Sequence, residues 1–274
     1  MSRRNLETEV VPVLSASLWL VATGFLALGI GAIGVGWFPT YDRLNFALQA
    51  LGPALIAVAL LIEWRTNVER RGWASFILFL IAILTFGALW IPYVVDPARL
   101  GTESATQLGF LMSGIAAMSA SLGTFAVMAR KESQLIQPIN SGEPLIKATF
   151  IQLLLFGVGM LIYGVDLIWV GEEDANYAQF SLLALALLIV MFAVFSFRAY
   201  LSVQIGTPAV VVTILAIASY ISGFVLHSFP SFMNEEWRLL TGLQGIAYVL
   251  GAVACALAAI HKAHASRAYF HLAR

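Results

Sequence analysis

Asp166 is the residue whose setting most invites chemistry. Leu167, Ile168, Trp169 and Val170 follow it before the acidic turn at Glu172, Glu173 and Asp174, so its carboxylate lies about one helical turn inside an apolar run. A carboxylate at that depth faces protein or water and counts as a functional candidate by default. Its competing role is that of an interfacial residue reaching toward the headgroups. His227 stands near the end of another apolar run, with Pro230 beyond it. A neutral imidazole there suits a proton acceptor or a metal or haem ligand, and equally a hydrogen bond to a neighbouring helix or to water. A bis-histidine haem needs a second histidine at similar depth, and His261, His264 and His271 all lie at or beyond the opposite end of the next run. Glu63, followed by Trp64 and Arg65, closes a run and reads as an interfacial residue.

Four further positions share a spacing. Asn45, Gln107, Gln179 and Arg238 are each followed seven positions later by a small residue: Gly52, Gly114, Ala186 and Gly245. Seven residues is two helical turns, so the two members of each pair lie on one face. The small member permits close approach of another helix. If the four helices surround a common axis, the polar members ring the outer mouth of a cavity fit for a polar or anionic solute. Amide side chains are also ordinary interhelical glue, worth about 1 kcal/mol or less each, and both readings stand.

Other chemistry lacks its parts. Lys131, Lys147 and Lys262 lie in joints or the tail, so no lysine sits within an apolar run to form a retinal Schiff base. The run Asn234 to Arg238 superficially resembles the paired-glutamate motif of membrane CAAX-type proteases. Its Arg follows too closely, and acidic residues before a helix are stabilised there by the helix dipole alone. No glycine-rich phosphate loop follows a strand, because no strands are predicted. The lone Cys255 rules out an intrachain disulfide and any multi-cysteine metal site. No catalytic residue, cofactor or metal is assigned, and an enzyme is not the expectation.

The elements that must position these residues are membrane helices. Of 274 residues, 60% are hydrophobic and 11% charged, against about 25% charged in soluble domains. Runs of about 20 apolar residues cross a bilayer as helices. Eight are predicted: Val13 to Gly36, Leu44 to Ile62, Trp73 to Val95, Ala105 to Met128, Ala148 to Val170, Phe180 to Phe197, Pro208 to Phe229 and Leu239 to Ile260. The first is longer than a signal-peptide core and leads by a short turn into a matching run, so it reads as a mature helix. The expected fold is all-α, a single integral membrane domain in contact with the lipid bilayer. The net charge of zero gives no reason to expect nucleic acid.

Charge between the runs sets the orientation. The N-terminus, the even joints and the tail hold Arg3, Arg4, Arg65, Arg70, Arg71, Arg130, Lys131, Lys147, Arg198, Lys262, Arg267 and Arg274, whereas the odd joints hold only Arg43, Arg99 and Arg238. Basic residues near helix ends stay cytoplasmic, so both termini are predicted to be cytoplasmic. Trp37, Trp90, Trp169 and Trp237 fall near the opposite, outer ends, where an indole sits well in the interface. Pairing consecutive runs yields four hairpins in one orientation, at about 13–66, 73–129, 148–200 and 208–262, with 130–147 joining two halves. That makes them parallel repeats. Repeated hairpins with a glycine-rich first helix (Gly24, Gly29, Gly31 and Gly34 in the first), a short outer turn and a polar-then-small second helix resemble the HdeD-type and YhiM-type bacterial inner-membrane proteins. The resemblance implies a role in acid or general stress resistance, and no secure activity. The Gly-His pair of the YhiM-type repeat is absent, because Phe46, Leu108, Phe180 and Leu239 stand nearest. Two functions follow as expectations: a structural or accessory membrane protein that self-associates or joins a membrane complex, or a channel or transporter for a small polar or anionic solute between the hairpins.

Overall fold

The structure, a computed structural model, describes residues 15–38, 42–66, 72–99, 102–135, 143–172, 177–196, 198–229 and 237–272. Among them no strand occurs. Ten α-helices follow in order: α1 (Ser15–Trp37), α2 (Asp42–Thr66), α3 (Trp73–Ala88), α4 (Ile91–Val95), α5 (Glu103–Leu135), α6 (Glu143–Glu172), α7 (Tyr177–Ser196), α8 (Arg198–Ile205), α9 (Thr207–His227) and α10 (Trp237–Leu272). With α3 and α4 counted as one span, eight helices are long and apolar enough to cross a membrane. In hydrocarbon a backbone must satisfy its own hydrogen bonds, and a helix does so within one segment. This is a multi-pass membrane protein.

The eight spans form one closed ring. Each packs on its successor, and α10 returns to pack on α1. In such a single layer every helix keeps one face outward, and Leu26, Val58, Ile81, Leu122, Leu154, Phe192 and Leu215 are all exposed there. Such an apolar girdle is stable only against lipid. The buried residues gather in two clusters, a larger one around Leu183, Leu187 and Phe224 and a smaller one around Phe46, Leu89 and Tyr93.

Small residues set the closest seams. A Cβ at Gly29 of α1 would lie 2.8 Å from the Gly245 carbonyl oxygen of α10, and one at Gly245 would lie 2.9 Å from that of Gly29. Across the ring Gly164 of α6 and Gly114 of α5 meet in the same way, at 2.8 and 2.7 Å. The next residues in each seam correspond too: Gly29 also touches Val249 and Gly245 touches Ile33, just as Gly164 touches Met118 and Gly114 touches Ile168. A second pair of seams matches again, Gly24 against Gly52 and Ile56 on one side, Gly159 against Ala186 and Val190 on the other. All four small residues of the seven-residue spacing are therefore contact points. Their partners all lie on α1 or α6.

Two interruptions shape the ring. Pro92 lacks a backbone N–H and its ring crowds the carbonyl four residues back, and the helix breaks there: α3 ends at Ala88 and α4 begins at Ile91. The break turns Trp90 inward. The second interruption is Gly206, whose φ of 88° suits glycine; it lets α8 double back onto α9 and α10, with the His261 ring over its Cα. The α8 helix falls in a predicted joint. Within the predicted linker 130–147, α5 runs on to Leu135 and α6 starts at Glu143, while 136–142 lie outside the described residues.

Candidate functional site

The ring encloses a cavity of about 760 Å³, and every one of the eight spans contributes to its wall. That volume is in the range of small-molecule sites, about 300–1,000 Å³. On each helix the wall residues come from the middle and from one end only. Val35 lies just before the end of α1, Tyr93 is within α4, and Leu240 is one turn into α10. Toward the other face the wall stops near Phe25, Ile56, Phe79 and Tyr248. The cavity thus belongs to the half of the bundle beside the α1–α2, α4–α5, α6–α7 and α9–α10 connections.

Most of the wall is apolar, and none of its residues is charged. Beside Tyr93, Ser113, Thr241 and Gln244, two sets of polar groups border the cavity. One is a tyrosine cluster from three helices: the Tyr163 and Tyr220 hydroxyls are 3.3 Å apart, and Tyr220 also hydrogen-bonds Tyr248. Phe224 packs edge-on against Tyr163 at 5.9 Å and steadies it. The other set faces it from α2 and the α3–α4 break. Gln49 is 1% exposed and its Nε2 has no hydrogen-bond partner; the Trp90 Nε1 is likewise buried and unpaired. The Gln49 stem passes over Gly31, where a Cβ would meet it at 2.8 Å, so the glycine of α1 gives this side chain its room.

The described residues among those singled out by sequence, Asn45, Gln107, Gln179 and Asp166, lie outside the cavity wall. Asn45 is buried in the α1–α2 seam, against Gly34, and its Nδ2 donates to the Phe38 carbonyl at 3.2 Å. Gln179 is buried on α7, Gln107 is exposed on α5, and neither borders the cavity. The side chains of His227 and Arg238 lie outside the described residues, as do Arg3, Arg4, Arg70, Arg71, Asp174, Glu235 and Glu236. Asp166 is 4% exposed and neither carboxylate oxygen has a hydrogen-bond partner, but it too is absent from the cavity wall. Of the four polar positions, Asn45, Gln107 and Gln179 are not in the cavity wall. Asn45 and its small partner Gly52 both face α1, as their shared helix face requires.

Gln49, Trp90 and the three tyrosines are the site residues that sequence reasoning passed over. One signal was present: Gln49 sits four residues after Asn45 and four before Pro53, a polar side chain deep in an apolar run. The tyrosines carried none, since which way each faces depends on how the ring closes. Comparison with family models, with curated proteins and with solved structures gave no match.

Proposed function

We propose that this chain is a carrier of the bacterial inner membrane that receives a small molecule into its central cavity from the outer side. The carrying observation is the cavity itself, bounded by all eight spans and confined to one half of the bundle. A site that ends near the middle of the membrane is what alternating access uses; an open channel needs a continuous path. The orientation rests on the basic joints and tail, which make both termini cytoplasmic and the cavity half external. On this reading the chain is four hairpins in two halves, and the matched glycine seams support a duplication of the halves. The resemblance to HdeD-type and YhiM-type proteins supplies the physiological setting, stress resistance, in which such a carrier would work.

Cys255 is the only cysteine, which makes the test direct. In a Cys255→Ala background, Ser113→Cys and Thr241→Cys place thiols on the cavity wall, and Leu111→Cys places one on the exposed apolar face. A membrane-impermeant maleimide added outside intact cells is expected to label the first two and spare the third. Labelling of neither wall position, or labelling only from the cytoplasmic side of inverted vesicles, overturns the reading.

A further inference from the structure

The chemistry of the cavity wall selects a class of ligand. No residue on it is charged, so an ion entering would lose hydration without gaining a counter-charge, at a cost of several kcal/mol. Polar groups are few, and the two wall atoms buried without a partner are both donors. Gln49 is 99% buried with an unpaired Nε2, and the Trp90 indole N–H, which can only donate, is likewise buried and unpaired in the wall contributed by the α3–α4 break, which packs on α2. Across the cavity, three tyrosine hydroxyls share two mutual links, and three protons in two links leave one to give away. A buried donor without an acceptor is destabilising, so a ligand bringing acceptors is favoured at both places. Phe79, Ile83 and Phe86 add an apolar stripe of α3 to the wall.

We infer that the cavity binds an uncharged, mainly apolar molecule bearing carbonyl-type hydrogen-bond acceptors at two edges, one taken by Gln49 and Trp90 and the other by the Tyr163, Tyr220 and Tyr248 cluster. The inference rests on the cavity being a solute site, as proposed above, and narrows it. It sets aside the anionic solute that the sequence alone had admitted.

Three probes of similar size separate the contributions: 2-decyl-1,4-naphthoquinone, with two acceptors; 2-decylnaphthalene, with none; and 6-decyl-2-naphthoate, an anion. The readout is native mass spectrometry of the full chain released from micelles, which counts one-to-one adducts during a titration. The quinone is expected to saturate at one per chain, the hydrocarbon to bind at least about tenfold more weakly, and the naphthoate to form no saturable adduct. Gln49→Leu is expected to weaken the quinone about fivefold to tenfold, the worth of one hydrogen bond, and to leave the hydrocarbon unchanged. Tyr220→Phe serves as the second variant with the same expected pattern, should the first fail to fold. Naphthoate binding as tight as the quinone overturns the inference, and so does equal binding of quinone and hydrocarbon that neither variant alters. If Ser113→Cys and Thr241→Cys label from outside while no probe binds, the ligand class falls and the carrier reading stands. If the quinone binds as expected while neither thiol labels, the carrier reading falls and the ligand class stands.

Discussion

The half from 15 to 135 and the half from 143 to 272 share two matched pairs of small-residue seams and are lined with different chemistry. Counting along each helix from the matched seams, Leu28 stands where Tyr163 stands and Ala117 where Tyr248 stands. All four border the cavity. Two apolar positions in one half are thus two members of the hydroxyl cluster in the other. In return Gln49 stands opposite Leu183, and Gly31, which makes room for Gln49, stands opposite Asp166. Where backbones touch, as at Gly29 and Gly164, only a small residue is possible; where the wall meets open space, residue type is free to vary. The frame and the lining are separable, and the chemistry sits in the lining.

The sharpest way to break this comparison is to fill the two seams. Gly29→Val and Gly164→Val each push a side chain against a facing carbonyl on a neighbouring helix, and overpacking of this kind costs about 1–3 kcal/mol, with backbone contacts at the upper end. Both are expected to lower thermal stability by comparable amounts, read from the unfolding midpoint of the purified protein. Equal losses sharpen the equivalence of the halves. A large loss at one glycine and none at the other breaks it.

Legibility in the sequence follows the same division. The eight spans could be read because run length and hydropathy are set by bilayer thickness alone, and Gly52, Gly114, Ala186 and Gly245 could be read as contact points because small residues mean close approach. Their partners could not. A seven-residue spacing defines a face without saying which neighbour it meets, and here two of the four contact the preceding helix of their own hairpin while Gly114 and Gly245 reach α6 and α1. The short α8 was hidden because eight residues with Arg198 at its start resemble a charged joint. Asn45 and Gln107 stood out as polar residues in apolar runs, yet one lies in a seam and the other on the surface. The tyrosine cluster draws on α6, α9 and α10, so nothing local announces it.

Asp166 is the next test of the difference between halves. Its counterpart Gly31 has no side chain, whereas Asp166 holds two buried, unpartnered carboxylate oxygens. Unsatisfied buried polar atoms cost about 1–3 kcal/mol. Asp166→Ala is therefore expected to raise stability, by up to about 2 kcal/mol, while Gly31→Ala is expected to lower it, since a Cβ there would meet the Gln49 stem and backbone. Opposite signs at matched positions confirm that one half tolerates strain the other does not. A loss of stability in Asp166→Ala would mean that the carboxylate is held by something that offsets its burial.

The smallest effect probes the hydroxyl link itself. The Tyr163 and Tyr220 oxygens are 3.3 Å apart, beyond the usual 2.7–2.8 Å for hydroxyl pairs, so the bond belongs at the weak end of the 0.5–1.5 kcal/mol range. Tyr163→Phe and Tyr220→Phe are each expected to cost about 0.5–1 kcal/mol, the second more because Tyr220 also bonds Tyr248. The double variant is expected to show a coupling of about 0.5 kcal/mol, since the bond between the two hydroxyls cannot be lost twice. Zero coupling would leave the Tyr163 hydroxyl apart from the Tyr220 and Tyr248 pair, and the polar wall would then act as two sites and not as one cluster.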